Sequence, residues 1–313
     1  MIRPASISAV IPTRGRPALV VRAVASALGQ TLRDIEVVVV IDGPDAATLR
    51  ALRAVDDPRL VILPLPVNLG LAGARHAGIE AARGAWIALL DDDDEWLPRK
   101  LEIQLNTARR SRHRTPIVTC RVIARTEQGD AIRPRRVLAT GEALCEYLFC
   151  KTRLSGGEGL VLPSTLLVPK ALFRDGGPRF RPVPSEGSDW LLRAVARDGV
   201  GVEFVATQEP LAIWHCEDSR VRLSTSRDWR ESLAWAKAEK GLLTPRARAS
   251  FILNRVSAEA RRAGDASAFW RLPREAFRCG RPTSISLFAH AITWLLPRRV
   301  RAALVRFRNR RPG

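Results

Sequence analysis

The chain has 313 residues, 46% of them apolar, and a formal charge of +19 from 51 lysines and arginines set against 32 acids. No apolar run reaches the ~18–20 residues that span a bilayer, and the five cysteines are scattered without a Cys-x-x-Cys pair. This argues against a membrane-spanning chain, a disulfide scaffold and a structural zinc site; it fits a protein with a sizeable core in a reducing compartment. Met1 to Pro4 run straight into an apolar segment, so no secretory leader is expected.

In chain order, Ile7 to Ile11 reads as a buried strand stopped by Pro12-Thr13-Arg14-Gly15-Arg16-Pro17. Leu19 to Leu28 has helical spacing, with Pro17 suited to the first turn. Glu36 to Ile41 is a second strand, nearly all β-branched, ending at Asp42-Gly43-Pro44-Asp45. A helix over Ala46 to Val55, a strand over Leu60 to Leu63, a turn at Asn68-Leu69-Gly70 and a helix over Leu71 to Ala82 are predicted next. Trp86 to Leu90 is the fourth strand, and Asp91-Asp92-Asp93-Asp94-Glu95 follow it at once. Strands alternating with helices predict βαβ units and a mostly parallel sheet. Right-handed crossovers bring the strand ends at Thr13, Asp42 and Asp91 to Asp94 to one edge, where open α/β sheets bind ligands.

Adjacent carboxylates repel one another, so five in a row call for a counter-charge. A hard divalent cation such as Mg²⁺ or Mn²⁺, which selects oxygen donors, is one answer. A solvated acidic turn feeding the helix that starts near Pro98 is the other. The chain has no Gly-x-x-x-x-Gly-Lys-Ser/Thr, no Gly-x-Gly-x-x-Gly after the first strand and no Gly-x-Ser-x-Gly. A P-loop kinase, a Rossmann dehydrogenase and a serine hydrolase are therefore disfavoured.

Four segments, Val10 to Arg14, Val38 to Pro44, Asn68 to Gly78 and Ala88 to Trp96, stand in the order and spacing of one known family. Residues 6–100 resemble the donor half of a family 2 glycosyltransferase with a GT-A fold. The departures are Ile41 where a second acid is frequent, Pro44 in place of serine and His76 in place of asparagine. The resemblance implies an α/β fold and transfer of a sugar from a nucleotide-sugar donor to an acceptor hydroxyl. Pro12, Thr13 and Arg14 would line the nucleotide pocket, Asp42 would accept hydrogen bonds from the base, and Arg75 would lie near the base or the diphosphate. Asp91 and Asp93 form an Asp-x-Asp element, with Asp93 as the metal ligand and Asp91 or Asp92 holding the ribose. The run of aspartates leaves that register open by one residue. Asp42 also reads as a plain Asp-Gly turn, and Arg75 as a solvated helix arginine.

Val183 to Arg193 resembles the family's acidic motif, with Glu186 and Asp189 on acidic positions and Gly187 where an aspartate often stands. An inverting transfer needs a carboxylate to take the acceptor's proton; Asp189 is the first candidate and Glu186 the second. Asp189 equally suits a cap before a helix over Trp190 to Arg197. His215, after the apolar run Leu211 to Trp214, would approach the metal or diphosphate. Arg220 and Arg222 would close over the diphosphate from a mobile loop.

A domain boundary is expected near residue 222, giving a catalytic domain over 1–222 and a helical extension over 223–313. From Trp229 to Trp270 the apolar spacing is helical. Gly280 to Gly313 holds no acid; the apolar Ser286 to Leu296 precedes Arg298, Arg299, Arg301, Arg306, Arg308, Arg310 and Arg311. That pattern suits an interfacial anchor on anionic lipid, or packing on the catalytic domain or a twin subunit in a homo-oligomer. Nucleic acid is not expected as a partner, because the arginines are not interleaved with stacking aromatics. The expectation is a metal-dependent transferase on the cytoplasmic face of the membrane, making polysaccharide or glycolipid on a glycan or lipid-linked acceptor. A non-catalytic GT-A-like binder and a nucleotidyltransferase are the alternatives.

Overall fold

The computed structural model describes residues 6–127, 129–154, 159–216 and 228–296. The loop expected at Arg220 and Arg222 and the basic run from Arg298 lie outside the described residues.

The chain forms two compact units: residues 1–126, 161–182 and 186–216 in the first, and 127–160, 183–185 and 217–313 in the second. Sequence reading placed 127–160 with the catalytic domain; here the segment clusters with the C-terminal helices.

In the first unit the order is β1 (Ile7–Thr13), α1 (Pro17–Leu28), β2 (Ile35–Ile41), α2 (Ala46–Arg53), β3 (Leu60–Pro64), α3 (Gly70–Ala81), β4 (Trp86–Leu89), β5 (Glu95–Trp96), α4 (Lys100–Arg109), β6 (Thr115–Thr119) and β7 (Val122–Thr126). Seven strands form one sheet, which β3, β2, β1 and β4 build in parallel on one side. β1 and β2 are buried along their whole length, which suits their unbroken runs of Val and Ile. Helix α3 lies close on this sheet at Gly78, where an added Cβ would come within 2.5 Å of Val10 and 2.9 Å of Val40.

The second unit contributes β8 (Gly129–Arg133) and α5 (Leu144–Phe149). The first unit resumes with β9 (Leu167–Pro169), α6 (Glu186–Val195), β10 (Val200–Phe204) and β11 (Ala212–His215). β9 runs antiparallel between β4 and β6, and β10 extends the sheet parallel to β6. β11 pairs with β5 and β7, outside the large sheet.

The rest of the second unit is helical: α7 (Trp229–Ala238), α8 (Pro245–Phe251), a π-helical stretch over Ile252–Val256, α9 (Ser257–Arg262), α10 (Ala268–Cys279) and α11 (Ser284–Leu295). Phe149 of α5 meets Trp235 and Phe251 edge-on at 6.2 and 5.0 Å. This apolar cluster is why 127–160 goes with the helices. Among the described residues no helix is long and apolar enough to cross a membrane.

Candidate active site

The parallel strands end on one edge, as the alternation predicts. Thr13 at the end of β1 donates its hydroxyl to Asp92 Oδ2 at 2.7 Å. Pro12 and Thr13 are buried and Arg14 is exposed. Asp42, just past β2, donates its backbone N–H to the Thr13 carbonyl at 2.9 Å and accepts from the Leu69 N–H at 2.7 Å. It therefore ties the end of β2 to the start of α3, a role that a plain turn would not need.

The acidic step alternates in direction. The Asp91 and Asp93 side chains are 31% and 25% exposed, whereas that of Asp92 is 9% exposed and Asp94 is buried. Burial pushes Asp92 up to about 6, against the hydrogen bond from Thr13 and the charge of Arg16. Burial also raises Asp94 well above the ordinary carboxylate range, and the nearby Asp91 adds to it. Asp94 accepts from Ser164 Oγ at 2.6 Å and from the His215 N–H at 3.3 Å, so it holds β4 to neighbouring segments. Asp91 and Asp93 are thus the more exposed pair, and Asp92 and Asp94 are buried struts.

Arginines answer the carboxylates. Arg75, buried on α3, donates from Nη2 to Asp91 at 2.5 Å and from Nη1 to Glu186 at 2.7 Å. Burial works against its charge, but the two carboxylates outweigh that and raise its pKa. A solvated arginine is thus excluded at this position. Arg16 reaches Asp92 at 3.0 Å and Asp93 at 3.5 Å, and Arg22 donates to the Asp93 carbonyl at 2.8 Å. His215 Nε2 pairs with Glu95 at 2.7 Å.

Helix α6 begins at Glu186, so Glu186 and Asp189 lie in its first turn and Asp189 is not a cap. Asp189 is fully buried, and both of its oxygens are taken by the guanidinium groups of Arg181 and Arg193. Glu186 is joined through Arg75 to Asp91. Between them, Gly187 lies against Pro163, whose Cγ would be 3.1 Å from an added Cβ.

The site therefore gathers Thr13, Asp42, Arg75, Asp91 to Asp94, Glu186 and His215, while Asp189 is locked in a separate ion pair. Sequence reading missed Arg16, Arg22 and Ser164. The two arginines follow the first strand at a loop and one helical face on, a weak signal in an arginine-rich chain. Ser164 carries no signal at all.

Among the described residues no cluster of three or more His, Cys, Asp or Glu side chains is placed to hold a metal ion alone. Two outward carboxylates are nevertheless the donor set that Mg²⁺ uses when substrate phosphates complete its shell. Asp91 and Asp93 would be the residues to hold a divalent cation alongside substrate phosphates.

Residues 8–157 match the profile of glycosyl transferase family 2. It is 47% identical over 89 residues to the succinoglycan biosynthesis protein ExoO of Rhizobium meliloti (strain 1021), covering 28% of this chain and 26% of that one. It is 27% identical over 252 residues to the amylovoran biosynthesis glycosyltransferase AmsB of Erwinia amylovora, covering 77% of this chain and 80% of that protein. The chain thus matches about a quarter of the length of ExoO and most of AmsB. Among solved structures, S. aureus TarS 1-349 in complex with UDP-GlcNAc superposes with a TM-score of 0.51 at 15% identity, covering 88% of this chain and 73% of that one. At that identity the likeness concerns the GT-A fold, which this chain shares.

Proposed function

We propose that the chain transfers a sugar from a nucleoside-diphosphate sugar to an acceptor hydroxyl, with inversion, during assembly of a surface polysaccharide. The observation that carries this reading is the outward pair Asp91 and Asp93 at the edge where Thr13 and Asp42 also end. ExoO and AmsB, both named for polysaccharide biosynthesis, support the product class. The acceptor is a glycan or lipid-linked saccharide, and the enzyme works peripherally on the cytoplasmic face.

Pro12, Thr13, Arg14 and Asp42 bind the nucleoside, with Asp91 on the ribose side and Asp92 holding Thr13 in place. Asp93 would hold a divalent cation, with His215 nearby through Glu95. Such a cation would neutralise the diphosphate as it leaves. Arg16 and Arg75, already beside these carboxylates, add positive charge at the same place.

For the base, Glu186 is the better choice. It belongs to the Arg75 cluster at the donor edge, whereas both oxygens of the fully buried Asp189 are taken by Arg181 and Arg193, away from that edge. Asp189 instead anchors the turn before α6 to the helix.

Calorimetric titration of UDP, GDP and dTDP, with and without Mn²⁺, on wild type and Asp93→Ala tests the reading. One nucleotide should bind tightly only with metal, and Asp93→Ala should abolish that binding. Binding that ignores both metal and Asp93 would overturn it. A GT-A-like binder would bind nucleotide without releasing it from a sugar donor.

A further inference from the structure

Two helices of the second unit carry large apolar side chains outward. On α10, Trp270 and Phe277 are 70% and 63% exposed. On α11, Phe288 and Leu295 are 55% and 70% exposed, and that helix contains no charged residue. In each helix the pair is seven residues apart and so shares one face.

The inner faces are already engaged. Pro273 has no N–H, which leaves the Phe269 carbonyl one turn earlier without its helical donor. His290 Nε2 of α11 takes that carbonyl at 3.0 Å. His290 Nδ1 then accepts from Ser257 Oγ at 2.8 Å, and Ser257 Oγ accepts from Trp294 Nε1 at 3.0 Å. This buried chain of hydrogen bonds fixes which side of α11 points inward, so the outward pair is not a packing accident.

Charge selects the occupant. Arg271, Arg274 and Arg278 of α10 and Arg281 just beyond it are exposed. Glu275, the helix's one acid, is turned to Lys237 Nζ at 2.8 Å. From Ala276 to the end the sequence has nine arginines and no acid. A second copy presenting the same face would oppose arginine with arginine. A bilayer surface bearing phosphates satisfies both parts: aromatic rings seat among the headgroups and guanidinium groups pair with the anions.

We propose that the outward faces of α10 and α11, through Trp270, Phe277, Phe288 and Leu295, dock on the surface of an anionic phospholipid bilayer. This deepens the reading of a lipid-linked acceptor, and its test needs no turnover. The full chain is floated with vesicles of phosphatidylcholine and with vesicles containing phosphatidylglycerol as well. Wild type should partition at least about tenfold more onto the anionic vesicles, and less as salt is raised. The double variants Trp270→Ser/Phe277→Ser and Phe288→Ser/Leu295→Ser should each lose about tenfold in partition with melting temperature unchanged. Trp270→Phe should retain binding.

No partition onto anionic vesicles overturns the proposal. So does wild-type partition by both double variants, including the case where only replacing Arg298, Arg299 and Arg301 by Gln releases the protein. A wild-type dimer that either double variant converts to a monomer in light scattering also overturns it, since a second copy would then be the occupant. Nucleotide titration on the same samples keeps the two readings apart. Nucleotide binding without vesicle binding removes this proposal alone, and vesicle binding without nucleotide binding removes the transferase reading alone.

Discussion

Ser164 Oγ donates a 2.6 Å hydrogen bond to Asp94 Oδ2 and accepts the Asp91 N–H at 3.1 Å. One hydroxyl thus holds both ends of the acidic turn. Ser164→Ala removes a buried hydrogen bond to a carboxylate, a loss of about 1.5–3 kcal/mol. The variant should melt several degrees lower and bind nucleotide more weakly, because the turn that aims Asp91 and Asp93 loosens. An unchanged melting curve together with unchanged nucleotide affinity would mean that the strut is dispensable.

The donor half was legible because its signals are local. Unbroken Val and Ile runs marked β1 and β2, the Asp and Asn turns marked their ends, and chain order fixed which ends share an edge. Ser164 was not legible, since a serine before a short antiparallel strand has no pattern until β9 inserts beside β4. Asp189 looked like a base or a cap because its two arginines stand eight residues before it and four after it. Only the packing of Arg181 back onto α6 reveals the pair. The grouping of 127–160 with the C-terminal helices was not legible for a similar reason: the ring partners of Phe149, Trp235 and Phe251, lie roughly a hundred residues further on.

Glu186 and Asp189 should separate in kinetics. Glu186→Gln should lower kcat by about 10²–10⁴ and remove the acid limb of the pH–rate profile. Asp189→Asn leaves two guanidinium groups short of their carboxylate, at a cost of about 3–5 kcal/mol. It should therefore lower the melting temperature, while the folded fraction keeps most of its kcat. The reverse pattern would return the base to Asp189.

Gly187 tests whether an aspartate can be restored at that position. Its added Cβ would press on Pro163, which is bonded directly to Ser164. Gly187→Asp should then cost about 1–3 kcal/mol in stability and give no gain in kcat. A stable variant with raised kcat would show that a carboxylate at 187, not Glu186, is the missing base.

Lys100 predicts a pH dependence of stability. Its Nζ is fully buried, 2.7 Å from Gln104 Oε1 and 4.2 Å from the Trp96 ring centre. Burial pulls its pKa down to about 8. Between that value and the ordinary lysine range the unfolded chain binds the proton more tightly than the folded one. Stability therefore rises with pH, by about 1–2 kcal/mol from pH 7 to 9. Cys120, pushed up to about 11 by burial, acts in the opposite direction as the unfolded thiol ionises between about pH 8 and 9. The thiol is common to wild type and Lys100→Met, so the difference between the two proteins isolates the lysine. Urea titrations from about pH 7 to 9 should show the rise in wild type and a flatter profile in Lys100→Met. An equal slope in both proteins would assign the dependence to other groups.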